Sequence, residues 1–391
     1  MSISPGIERY LGRHAELGDD RLDAPSANLR LVVVIPAMAE SDYLGDVLDS
    51  LEGGSERLDE AEVLVVVNRP EDAPEKIAQD NAQTLELLDD RTHRLPVFAI
   101  DRVFAAKSAG VGRARRVGMD LALSRLAGAD CSEDGLIACL DADSPVAPGY
   151  IDTLLTAFAR EDASMLAGVC PFRHPLPEDE AAAEAIVAYE TWLRYRELSI
   201  RRAGSPYAFQ TLGSCIVTRA AGYALADGMP TKQAGEDFHF LNKLVKVGGP
   251  GSVRPLEGVL VQPSPRQSSR VPFGTGPAMR HCLNHGLDHY RIVPPAHIFE
   301  ELARFFDALG GGDEFEAAGP TVRGYMESIG GWRVLDKLGA NHSDQERFVR
   351  AFHGWFDGLR VLQYARFGEE MHGGQPIEDA MKIPENDALP A

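Results

Sequence analysis

Gly135-Leu136-Ile137-Ala138-Cys139-Leu140-Asp141-Ala142-Asp143 is an apolar run that closes on two carboxylates one residue apart. A short, continuously apolar run of this kind reads as a strand buried on both faces, so the two acids stand where that strand reaches the surface. Strand side chains alternate faces, and a bend after the strand lets Asp143 point at a divalent cation while Asp141 reaches a neighbouring hydroxyl or a cation-bound water. The competing reading is that Asp141 and Asp143 only cap a helix starting near Pro148.

Upstream, residues 31–35 form another β-branched apolar run, stopped by Pro36, and residues 61–67 repeat it before Asn68. A third strand is predicted over 95–100. Helices are predicted between and after these strands over 41–51, 73–90, 109–126 and 148–160, where apolar residues recur at helical spacing. This β-α-β-α-β-α-β series predicts an α/β fold with a mostly parallel sheet, helices on both faces, and ligands at the carboxyl ends of the strands. Pro36, Asn68 and Asp141 all fall at such ends.

Downstream, residues 178–202 read as a long Ala-rich helix whose Tyr189, Trp192 and Tyr195 face the core and whose Arg194, Arg196, Arg201 and Arg202 form a solvated face. Short strands are predicted over 212–218 and 252–261, with a helix over 236–247 between them. Helices follow over 281–290, 296–309, 322–338 and 344–368. The polar, Pro-containing end beyond Gly373 is expected to be mobile.

The chain has 391 residues, enough for one large α/β domain with a helical annex or for two modest domains sharing an interface, and 44% hydrophobic with 25% charged residues is ordinary for a soluble globular protein. A net charge of −20 disfavours nucleic acid and anionic membrane surfaces as partners. Cys131, Cys139, Cys170, Cys215 and Cys282 are widely spaced, with no Cys-x-x-Cys pair, and read as reduced packing residues. The first thirty residues carry no apolar signal core, and no run approaches the ~20 apolar residues of a membrane span. A cytoplasmic protein without integral membrane association is expected.

The segment Ile35-Pro36-Ala37-Met38-Ala39-Glu40 ending the first strand, Asp141-Ala142-Asp143 after the fourth, and Gly235-Glu236-Asp237 opening a later helix occur in the order and spacing of the family 2 glycosyltransferases, which the chain resembles. Gly110-Val111-Gly112-Arg113-Ala114-Arg115-Arg116-Val117-Gly118 adds a match to the segment that family uses beside the donor nucleotide. Each motif is weak alone, and the set is fairly specific. The resemblance spans residues 30–275. It implies the A-type glycosyltransferase fold, a nucleotide-diphosphate sugar as donor, an unidentified hydroxyl acceptor, and a Mg2+ or Mn2+ ion on the diphosphate. The implied division is an N-terminal extension over 1–29, a catalytic domain over 30–275, a helical region over 276–372 that shapes an acceptor site or a dimer contact, and a tail over 373–391.

The resemblance also implies roles. Asp143 would ligate the metal with Asp141 in support, a cation there acting on the leaving diphosphate as a Lewis acid. Pro36 and Ala37 would contact the nucleobase by backbone and Glu40 would hold a base or ribose group, although Pro36 could simply end a strand and Glu40 cap a helix. Asn68 stands where many relatives carry Asp, so it can hydrogen-bond a base edge without charge. Lys107, Arg113 and Arg115 lie around the start of the helix near Gly110, which suits a phosphate. Arg115 fits the family position best, while Arg113 and Arg116 could be plain solvated charges. Asp237 is the implied base of an inverting transfer, with Glu236 orienting the acceptor or a supporting bond. Both acids could instead oppose the helix dipole.

Arg270, in the Gly- and Ser-rich stretch after the last predicted strand, is the candidate anion clamp. Residues 259–263 contain no His, which leaves a third protein metal ligand unassigned. His281, His285 and His289 repeat every four residues, and a packing or solvent stripe is favoured over a metal site. Two other classes compete. A sugar-nucleotide pyrophosphorylase would carry a Gly-rich basic loop straight after the first strand, and Pro36–Glu40 lacks it. A non-catalytic sugar-nucleotide sensor would tolerate Asn68 and dispense with Asp237.

Overall fold

The computed structural model describes residues 4–18, 20, 22–92, 94–161, 163–309 and 318–381. Two compact units divide the chain: Met1–Pro175, Thr211–Gly248 and Ser252–Gly274 form one, and Leu176–Gln210, Gly249–Gly251 and Thr275–Ala391 the other. The long helix over Glu180–Arg202 thus groups with the C-terminal part, inside the stretch that the sequence assigns to one catalytic domain.

In the first unit the order is α1 (Pro5–Arg13), β1 (Leu31–Ala37), α2 (Leu44–Glu52), β2 (Ala61–Pro70), α3 (Glu75–Asp90), β3 (Val97–Phe104), α4 (Val111–Gly128), β4 (Leu136–Cys139), α5 (Tyr150–Arg160), β5 (Ala167–Val169), β6 (Ile216–Arg219), α6 (Ala220–Leu225), α7 (Glu236–Gly248) and β7 (Val253–Pro255). These strands make one sheet in the order β3-β2-β1-β4-β6-β5-β7. β1 pairs in parallel with β2 and β4, and β2 with β3, whereas β6 runs antiparallel to β4 and β5. The predicted mostly parallel α/β sheet is therefore present. All of β1 is buried, as its unbroken apolar run requires.

α4 lies close on β1 and β2 because Gly118 faces them: a Cβ there would come within 2.4 Å of Val34 and 2.9 Å of Val66. Glu62 is an acid inside β2, only 2% exposed. Its charge is matched by Arg125 of α4, whose Nη2 donates to Oε2 at 2.7 Å. α1, unanticipated from the sequence, docks through Tyr10, whose hydroxyl donates to the buried Asp120 of α4 at 2.6 Å. β5 and α6 were not announced by the sequence either, at three and six residues too short for a readable pattern.

The second unit is helical. Its core gathers Phe299, Phe305, Phe306, Phe352, Phe356 and Tyr364 with Ile298 and Leu302. The helix predicted over 322–338 is two helices, Pro320–Ser328 and Gly331–Asn341, broken where Gly330 turns left-handed at φ +65°. The one predicted over 344–368 divides into Gln345–Trp355 and Gly358–His372, because Asp357 caps the second by accepting from Arg360 N at 3.2 Å. Tyr189 and Tyr195 are core, as predicted. Arg196 departs from the predicted solvated face and stacks 4.3 Å from the Trp192 ring centroid.

The expectation of a mobile tail beyond Gly373 also needs correction for its first residues. Gln375–Pro376 pairs with Ile292–Val293, and the short helix Ile377–Ala380 buries Ile377 and Ala380. The remainder of that tail, 382–391, lies outside the described residues. Among the described residues no helix is long and apolar enough to cross a membrane. All five cysteines are free thiols.

Candidate active site

Most of the acids and bases singled out in the sequence, Lys107 apart, gather near the carboxyl ends of β1 and β4. Leu140 continues β4 by donating its N–H to Val34 O at 3.1 Å, and Ser144 N closes a turn on Asp141 O at 3.1 Å. This turn presents Asp141 and Asp143 side by side. Asp143 is the more enclosed, with 18% of its side chain exposed against 36% for Asp141.

Arg115 joins this pair to the other predicted acids. Its guanidinium is buried between strand and helix, one Nη on Asp141 and the other on Glu236 at the start of α7. Burial works against its charge, yet Asp141 and Glu236 hold its pKa above the ordinary value. Gly213 makes room for it, since a Cβ there would fall within 2.4 Å of the guanidinium. Gly112 brings α4 against residues 230–236, where a Cβ would lie 2.4 Å from Lys232 O and 3.1 Å from Glu236 Cβ. Arg115 is thus an internal tie, with both terminal nitrogens held by carboxylates, where the sequence suggests a phosphate contact.

Asp237 follows Glu236 in the first turn of α7, and its Oδ1 accepts from Phe238 N at 2.7 Å. Burial, then the charge of Glu236, push its carboxyl up to about 7, against the opposing pull of Arg115. Asp143 is likewise pushed up to about 6, by burial first and then by Asp141, with Arg266 opposing. Asp141 contributes to both shifts, so Asp143 and Asp237 share one electrostatic neighbourhood.

At the end of β1 the chain turns through Ala39 in a left-handed conformation, φ +55°. Asn81 Oδ1 accepts from Ala39 N at 2.9 Å. Glu40 is carried inward to 6% exposure, where Arg266 Nη2 lies 2.6 Å from Oε1 and Arg270 reaches the same carboxylate. Glu40 is therefore saturated by arginines, where the sequence suggests a base or ribose contact. Pro36 and Ala37 are buried in β1, and Asn68 Nδ2 donates to the carbonyls of Ala37 and Val66, each at 3.1 Å. Lys107 stands exposed on the 3-10 turn Ala106–Ser108, outside this network.

Arg266 is the residue that sequence reasoning passed over in choosing Arg270. Their four-residue spacing was the available signal. Asn81, which also donates to Asn68 O at 2.9 Å, was missed for want of any motif. Among the described residues no three His, Cys, Asp or Glu side chains converge as a metal cage. The rings of His281 and His285 lie 5.1 Å apart, as do those of His281 and His289, without forming one.

A mostly parallel sheet with an acid pair after β4, facing a second acid pair at a helix start, is the layout of an A-type glycosyltransferase. Residues 32–221, just under half of the chain, match the model of glycosyl transferase family 2, and this stretch is a glycosyltransferase domain of that kind. Solved structures with a similar path include Staphylococcus aureus TarS 1-349 in complex with UDP-GlcNAc, at 13% identity and TM-score 0.43, covering 74% of this chain and 69% of that one. The mannosyltransferase PcManGT from Pyrobaculum calidifontis, in complex with GDP-Man and Mn2+, has 15% identity and TM-score 0.36, covering 94% and 92%. Likeness at that level says nothing of donor or acceptor. No curated protein matches the chain.

Proposed function

We propose that the chain moves a sugar from a nucleotide-diphosphate sugar to a hydroxyl acceptor in the cytoplasm, by inversion and with a Mg2+ or Mn2+ ion. The observation that carries this reading is the Arg115 tie, which brings Asp141 and Glu236, 95 positions apart in the chain by number, onto one guanidinium and so sets Asp237 beside the acid pair.

The residues fit a cation whose shell is completed by substrate. Magnesium takes one or two carboxylates together with substrate phosphates and needs no full protein cage. Asp143, held above the ordinary carboxylate range by burial and by Asp141, gains from a cation. Asp143 would hold the ion with Asp141 in support. When bound, it would neutralise charge on the leaving diphosphate.

The chain's own groups supply the rest. The acceptor oxygen forms its bond to the anomeric carbon as the bond to the diphosphate oxygen breaks, and Asp237 takes the acceptor proton. A carboxyl pushed up to about 7 is still about half ionised at neutral pH and is a stronger base than an ordinary aspartate. Glu236, pinned by Arg115, fixes the first turn of α7 and so the direction of Asp237. Arg266 and Arg270 lie on the Asp143 side, where negative charge accumulates on the leaving group. The test is a nucleotide-sugar panel read by thermal shift with and without Mg2+ or Mn2+, followed by transfer assays on the donors that shift. Metal-dependent stabilisation by at least one donor, lost in Asp143→Ala, is the expected result, and its absence across the panel overturns the reading.

A further inference from the structure

Arg266 holds a place that the scheme above leaves without a specific task. Its Nε lies 2.7 Å from Asp143 Oδ2, and its Nη2 lies 2.6 and 2.7 Å from the two Glu40 oxygens. The guanidinium carbon sits 4.4 Å from the Tyr43 ring centroid. One cation thereby ties the turn after β1, the acid after β4 and the segment following β7. Asp143 has Asp141 on one side and Glu40 across from it, so Arg266 offsets a local excess of negative charge. Arg270 can remain on Glu40 if Arg266 leaves, but among the described residues no second cation pairs with Asp143. A metal ion arriving at Asp143 would set two cations against one carboxylate, and their repulsion weakens the Arg266 pair.

We propose that Arg266 is the counter-cation of Asp143 before donor binding, exchanged on loading, so that a divalent ion and a nucleoside diphosphate enter together. The ion takes the Asp143 carboxylate, and the diphosphate takes the released guanidinium, whose fork of donors suits phosphate oxygens. The inference rests on the metal-dependent reading above. Its thermodynamic signature is coupling: each ligand tightens the other by the same factor.

Binding of Mn2+ followed by electron paramagnetic resonance tests this without turnover, using UDP and GDP as probes. The parent protein should bind Mn2+ about 10-fold or more tightly once a nucleoside diphosphate it recognises is present. Arg266→Ala should bind Mn2+ alone roughly 10-fold tighter than the parent, bind the diphosphate more weakly, and lose most of the coupling. Arg266→Lys, a point charge without the fork, should fall between them. A gain in metal affinity cannot arise from damaged folding, so this variant keeps the test decisive. Mn2+ binding that Asp143→Ala abolishes but Arg266→Ala leaves equal or weaker overturns the role of Arg266 and keeps the metal reading. No Mn2+ binding to the parent, with or without either diphosphate, overturns both.

Discussion

Asp237 carries two demands that its surroundings set against each other. In the proposed role of base it must be ionised, yet burial and the adjacent Glu236 push its carboxyl up to about 7. Transfer should therefore rise with pH and level off above about 7, measured as kcat/KM across pH 5–9. Asp237→Asn should lower turnover by about 100-fold or more while donor affinity, read by calorimetry, is unchanged. Stability follows with the opposite sign. A carboxyl whose folded pKa is raised contributes stability that is complete below its unfolded pKa near 4 and is lost as pH climbs through about 7. The Asn variant lacks that loss, so its thermal midpoint should exceed the parent's at pH 8 and the gap should shrink toward pH 4. A parent that melts higher at pH 8 would refute the shift. Asp141, Asp143, Glu236, Asp237 and Arg115 were legible because each sits in a short motif at a strand end or helix start. Arg266 was less so: its spacing from Arg270 was the one local signal, and its partner Glu40 lies 226 positions away.

At the scale of elements, α4 is the part on which the site is built. One face meets β1 and β2 through Gly118, and its first turns meet residues 230–236 through Gly112 and Glu236 through Arg115. Gly112→Ala should separate these, because its Cβ would stand 2.4 Å from the Lys232 carbonyl oxygen and 2.9 Å from that of Pro230, both backbone atoms that cannot rotate away. The expected result is a lower melting temperature with a loss of transfer activity larger than the fraction unfolded explains. Full activity in a stable variant would show that the approach is not needed. Arg115→Met should be harsher, leaving Glu236 buried at 2% exposure without its guanidinium, a change that costs about 3–5 kcal/mol in stability, read from urea unfolding. The elements themselves were readable where the apolar period is strong, as in β1, β2 and α4. The breaks at Gly330 and Asp357 were not, because apolar spacing continues across them while one backbone conformation and one cap decide the division.

Across the first unit as a whole, the segment read as an N-terminal extension is woven into the catalytic part. Asp120 is fully buried and accepts from Tyr10 and Tyr223 at 2.6 Å each and from Glu16 N at 2.7 Å. Burial raises its pKa, and these donors with Arg116 oppose the rise. Arg116 then reaches both ways, to His14 O at 2.9 Å and to Met229 O at 3.0 Å. Met229 lies on the stretch that leads to Glu236 and Asp237, so one arginine couples α1 to the approach of the proposed base. A buried acid that loses one of its donors is under-solvated, at a cost of about 1–3 kcal/mol. Tyr10→Phe removes that donor together with the hydroxyl that accepts from Arg116 Nη2 at 3.1 Å, and should lower the urea midpoint accordingly. Amide exchange should quicken over Pro5–Arg13 while β1, whose burial does not involve Tyr10, keeps its protection. If the coupling reaches α7, exchange over the first turn of Glu236–Gly248 quickens as well and turnover falls with donor affinity intact. An unchanged midpoint, with protection of α1 as in the parent, would show that the extension is held by its apolar contacts alone.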